Sequence, residues 1–132
     1  MPEVRSVIFC DDVRREDNGK LILVGVYTGF LGIPSFPWSG VLHTVLLIEN
    51  VESEHEFMIT VGTASGAKFL EMQATISHVP GMIRHTAYIP LPPVPVTLSS
   101  PDEIQLRTSV DGGASTVVGI LPVQVPIDAK EA

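Results

Sequence analysis

The sequence predicts an all-β fold, an antiparallel β-sandwich of about seven to nine strands, immunoglobulin-like or similar. Three observations carry that expectation. Eleven prolines and eleven glycines punctuate the 132 residues, leaving little room for helices. Val, Ile and Thr dominate between them, as short strands require. Two strong turn signals, Asn18-Gly19 and Asp111-Gly112-Gly113, each stand between apolar runs and read as hairpins.

The elements follow in order. Strands are predicted near 4–13 and 20–29, joined by the Asn18-Gly19 turn, where both residues tolerate positive φ. Residues 30–40 form a long connection holding Phe30, Phe36 and Trp38. Strands near 41–50, 54–62 and 67–78 come next. The last of these is expected to pair with 82–89 across a Pro80-Gly81 turn, Pro fixing φ and Gly allowing it to be positive. With Val79 opposite Met82, that hairpin buries Ile76, Ile83, Ala87 and Ile89 and turns Glu71, Gln73, Arg84 and Thr86 to water. The run Ile89 to Val96 holds four prolines, which cannot donate to a ladder, so it reads as an edge or an extended crossover. Strands near 103–110 and 115–125 close the fold around Asp111-Gly112. The second is apolar on both faces, as a covered strand or a contact would be, and Gly119 marks a bulge. Residues 1–127 then make one domain, and 128–132 a frayed tail.

Composition narrows the functional classes. Charged residues are 17% of the chain, below the usual quarter, which suggests that something other than water covers part of the surface. The net charge of −7 repels a nucleic-acid backbone or an anionic membrane, so neither is an expected partner. Cys10 is the only cysteine, which fits a reducing compartment, and no apolar run reaches the ~20 residues of a transmembrane helix. With no signal-peptide pattern at the N-terminus, the expected location is cytoplasmic.

Several motifs also carry a family resemblance. Cys10-Asp11-Asp12-Val13-Arg14, Asn18-Gly19-Lys20-Leu21 and Val24-Gly25-Val26-Tyr27 form the opening hairpin. Glu54-His55-Glu56-Phe57 and Asp111-Gly112 followed by Leu121-Pro122-Val123-Gln124-Val125 come later. Together they resemble a widespread group of small bacterial proteins of unknown function. The resemblance implies a single cytoplasmic β-domain and transfers no functional residues.

The candidate sites are few. Asp11, Asp12, Arg14, Arg15, Glu16 and Asp17 lack calcium-loop spacing and read as a solvated hairpin. His78 and His85 share a face roughly 7–8 Å apart, but zinc needs three protein ligands, so no metal and no cofactor is expected. Cys10 ends an apolar run and reads as inert core. Gly62 to Lys68 lacks the glycine-lysine-hydroxyl ending of a phosphate loop and leads into a strand. The aromatic connection either caps the core or forms a contact surface. On the second reading, Phe30, Ile33, Phe36 and Trp38, or Leu91 and Val94 of the proline-rich run, are the interface residues.

These readings point to a non-enzymatic interaction module that self-associates as a homodimer, with a protein partner as a further option. The alternatives are a small-ligand or carbohydrate binder stacking on Trp38 and Tyr27, or a metal-dependent enzyme using the histidines.

Overall fold

The structure is a computed structural model that describes residues 2–83 and 85–125. The predicted frayed tail, 128–132, lies outside the described residues, as does Arg84. Ten strands carry the described chain: β1 (Glu3–Arg15), β2 (Leu21–Val26), β3 (Leu31–Gly32), β4 (Trp38–Val51), β5 (His55–Thr63), β6 (Lys68–Ile76), β7 (His85–Pro90), β8 (Val94–Leu98), β9 (Asp102–Val110) and β10 (Thr116–Gln124). The chain is all-β. Of these strands, β3 falls in a segment that the sequence pattern gives to a connection, and β8 begins in the run read as an edge or an extended crossover.

The first sheet runs β2-β1-β4-β7, with β8 also paired to β4. Its spine is the 14-residue β4. Along one edge β4 meets β1, with Ile8 opposite Val45 and Cys10 opposite His43. Along the other it meets β7 and then β8, with Val45 opposite Pro90 and Leu42 opposite Val94. Leu91 to Pro93 interrupt that edge, and the Leu91 amide donates to the Thr44 carbonyl at 2.9 Å. The prolines therefore sit where a missing N–H costs least, on the sheet edge.

The second sheet runs β3-β10-β9-β5-β6. Its β3 lies parallel to β10, pairing Leu31 with Val123. Neither order reproduces the ABED and CFG sheets of an immunoglobulin constant domain.

The inner faces of the two sheets share one core. Phe9, Leu42, Leu46 and Ile48 come from the first sheet, and Phe57, Ile59, Val61, Ile104 and Leu106 from the second. Gly119 sits at the bulge where β10 slips against β9. A Cβ placed there would lie 2.8 Å from the Val7 Cβ, so the missing side chain lets the sheets approach.

Both hairpin turns form. Gly112 follows Asp111 with φ of 76° and 50°, and the Gly113 amide reaches the Val110 carbonyl at 2.9 Å. Two successive positive φ values are what a two-residue I′ turn needs. The first hairpin closes over a longer loop, with Arg15 opposite Leu21, Gly19 at φ 87° and Asn18 Oδ1 accepting from the Lys20 amide at 3.0 Å.

The Pro80-Gly81 hairpin needs correction. The turn exists, since the Met82 amide donates to the Val79 carbonyl at 3.3 Å. Its flanking strands part, however: β6 pairs with β5, and β7 with β4. Residues 77–83 therefore lead from one sheet toward the other, and Ile83 is 91% exposed where burial was predicted. The alternation still holds strand by strand: Ile76 is buried, Ala87 and Ile89 are half-buried, and Glu71, Gln73 and Thr86 are exposed. Period-2 patterning sets which face turns inward and leaves the choice of partner strand open.

Candidate functional site

The residues read as an interface, from the aromatic connection and the proline-rich run, divide in two. Ile33, Leu91 and Val94 are buried in the core and offer no side-chain surface to a partner. Phe36 and Trp38 are half-buried and pack against that core. The Trp38 ring lies over Gly40, where a Cβ would come within 2.5 Å of it. Of the six residues read as an interface, Phe30 is the one classed as exposed. Most of this segment closes the end of the molecule.

Apolar exposure lies elsewhere. On the edge strand β2, alternation puts Ile22, Val24 and Val26 on one face, and they are 43%, 41% and 46% exposed. Leu21 and Leu23, on the opposite face, are half-buried. The unbroken apolar run Leu21 to Val26, with only Gly25 between, was the available sequence signal. A strand apolar on both faces is covered on both faces somewhere.

The half-buried face explains an anomaly in β4. Val45 points away from the core by alternation, yet it is buried. Beyond Cys10, β1 leaves β4 and continues as a hairpin with β2. A groove of about 370 Å³ lies between this hairpin and the outer face of the sheet. Ile8, Leu21, Leu23, Val45 and Tyr88 form its apolar lining, with Arg15 and Lys20 beside them.

The best organised polar cluster joins the β4–β5 turn to the β9–β10 turn. His55 Nδ1 lies 2.6 Å from Asp111 Oδ2, and its Nε2 lies 3.0 Å from Ser53 Oγ. Asp111 Oδ1 accepts from the Glu56 amide at 2.9 Å, and the Asp111 amide donates to the Glu56 carbonyl at 2.8 Å. The His55 hydrogen bond and the Glu56 amide hold the Asp111 carboxyl below its ordinary value. The atoms match a nucleophile, a base and an orienting acid. Glu52 and Glu54 flank Ser53 in the sequence, and the Glu56 carboxylate accepts from Thr75 Oγ1 at 2.6 Å. The cluster serves as a clamp between two turns. Sequence reading singled out His55 but not Ser53 or Asp111 as its partners, because residues 55 and 111 meet only through the fold.

The chain belongs to DUF6941. This family of unknown function matches residues 5–121. The match takes in the β1–β2 hairpin, the groove and the Ser53–His55–Asp111 clamp alike. No curated protein matches the chain. Membership in DUF6941 therefore names no activity, and the roles of these residues rest on their geometry.

The remaining candidates fall into place within this DUF6941 fold. His78 and His85 lie with ring centroids 6.0 Å apart, brought together by the sheet-crossing connection. His43 and His55 each lie beside a carboxylate, Asp12 at 4.0 Å and Asp111. Cys10 is fully buried, and that burial, with the Asp11 and Asp12 charges, pushes its thiol pKa up and away from nucleophilic use. Asp12 accepts from Arg14 Nε at 3.0 Å, which holds its carboxyl below the usual range. The Gly62–Lys68 loop spends amides on protein carbonyls: Thr63 donates to Ala67, Gly66 to Thr63 and Ala64 to Glu103 of β9. No phosphate cradle remains open there. Burial works to raise the Asp102 pKa, but hydrogen bonds from Ser65, Glu103 and Thr63 outweigh it. Among the described residues, no helix is long and apolar enough to cross a membrane.

Proposed function

We propose that this protein is a non-enzymatic interaction module of the cytoplasm that associates with a second copy of itself across the edge strand β2. The observation that carries this is the exposed row Ile22, Val24 and Val26 on a strand with an open ladder edge. Natural edges are usually blunted by charge, proline or a bulge; Leu21–Val26 has no charged residue and no proline. Two molecules of net charge −7 repel, so close approach costs least where the contact is uncharged. An antiparallel pairing of β2 with its copy is also self-complementary about a two-fold axis.

This reading moves the contact from the aromatic connection to the hairpin. Light scattering is expected to give a dimer mass, and a variant carrying Ile22→Lys and Val24→Lys a monomer mass, with a cooperative melt whose midpoint no longer depends on protein concentration. A monomer mass for the unaltered protein at its highest attainable concentration would sink the proposal.

A further inference from the structure

The groove beneath the β1–β2 hairpin lies on the opposite face of β2 from the proposed contact, and it has a chemistry of its own. Its floor and walls are apolar: Val45 is buried beneath it, and Ile8, Leu21, Leu23 and Tyr88 surround it. Its volume, about 370 Å³, sits at the small end of ligand pockets, roughly 300–1,000 Å³. Beside this apolar lining stand Arg15 and Lys20.

The chain has 15 acids and 8 bases, and among its described cations Arg15, Lys20 and Arg107 make no ion pair. Arg5 pairs with Glu49, Arg14 with Asp12 and Lys68 with Glu71. Among the described residues, Arg15 and Lys20 have no carboxylate within ion-pair distance, and the Arg15 guanidinium makes only a long 3.4 Å contact to the Gly19 carbonyl. Glu16 and Asp17 follow Arg15 in the turn but do not line the groove.

We propose that this groove is a binding site for a free medium-chain carboxylate: an apolar chain along Leu21, Leu23, Val45 and Tyr88, with its head on Arg15 and Lys20. Arginine's planar fork accepts a carboxylate through two parallel hydrogen bonds, and lysine adds a point charge. The apolar lining supplies area that a simple inorganic anion could not use. Selectivity follows from the pairing: a neutral chain lacks the head contact, and a cationic one is repelled. The site uses a different face of β2 from the proposed dimer contact, so it stands whether or not the protein associates.

Titration calorimetry with decanoate at low salt tests it, with decanol and decyltrimethylammonium as controls. Decanoate is expected to bind at least about tenfold more tightly than either control, and less tightly as salt rises. Replacing Arg15→Gln and Lys20→Gln together should weaken decanoate by about tenfold or more and leave decanol unchanged, a pattern expected of a charge-assisted contact. Leu23→Glu should abolish both. The Ile22→Lys, Val24→Lys variant should bind decanoate as the unaltered protein does, which separates this site from the dimer contact. Melting curves confirm that each variant is folded. The proposal is overturned if decanoate gives no heat, if decanol binds equally well, or if the Arg15→Gln, Lys20→Gln variant keeps full affinity. Tighter binding of a short peptide ending in a leucine carboxylate would replace the free acid with a protein terminus.

Discussion

Trp38 covers Gly40 and packs on the core from a half-buried position, so its loss should register in stability. Trp38→Ala is expected to cost about 2 kcal/mol, less than a fully buried aromatic would. The melting temperature should fall while the mass by light scattering stays the same; a change of mass with unchanged melting would return Trp38 to an interface. Tyr27 makes a second single-residue case. Its hydroxyl donates to Asp11 Oδ1, and burial followed by that contact pushes its pKa up to about 12 from 10.0. A group with a raised folded pKa contributes stability that is whole below its unfolded value and lost as pH rises through the folded one. The stability advantage of the unaltered protein over Tyr27→Phe should therefore hold up to pH 10.0 and shrink toward about 12. Denaturant melts across that range check it, and a pH-independent difference would show that the phenol never titrates against folding.

At the scale of elements, local chemistry was legible and partner choice was not. Asp111-Gly112 turns with both residues at positive φ and Asn18-Gly19 with Gly19 alone, because tolerance of positive φ belongs to the residues themselves. The same logic gave Pro80-Gly81 a turn and then failed, since β6 and β7 each found a partner in a different sheet. Alternation carries a phase but no address. For the same reason the His55–Asp111 clamp was invisible, its members meeting only where β5 lies against the β9–β10 turn. That clamp has a measurable signature. Asp111 titrates below its ordinary value of 3.8, so the stability it lends is present above that pH and lost as pH falls through its lower folded value. Asp111→Asn should flatten the acid limb of stability against pH while leaving the limb near neutrality parallel to that of the unaltered protein. Identical acid limbs would show that the clamp contributes nothing to folding.

At the scale of the whole molecule, composition gave the all-β class, and low charge raised the expectation of covered surface. The sequence drew attention to aromatics, and most of them face inward, whereas the exposed row consists of the aliphatic residues of β2. Aliphatic residues at an edge look like any other strand until the order of the sheet is known. Self-association across β2 should respond to the charge of the whole chain: raising salt screens the repulsion between two copies at −7 and should shift the balance toward dimer. Sedimentation at two ionic strengths measures this, and a dimer that dissociates as salt rises would point to a contact held by ion pairs, not by β2.

The parallel pairing of β3 with β10 also bears on the order in which the protein can be made. Leu31 is synthesised early, and its partner Val123 is among the last of the described residues to be added. Ile33 likewise donates to the carbonyl of Gln124. The β1–β2 hairpin can close as soon as it emerges from the ribosome, because its contacts are local. The second sheet cannot be completed until β10 is free, and until then β9 waits with an unpaired edge. Nascent chains stalled before β10 should therefore bind chaperones and yield to protease, and chains released just after it should not.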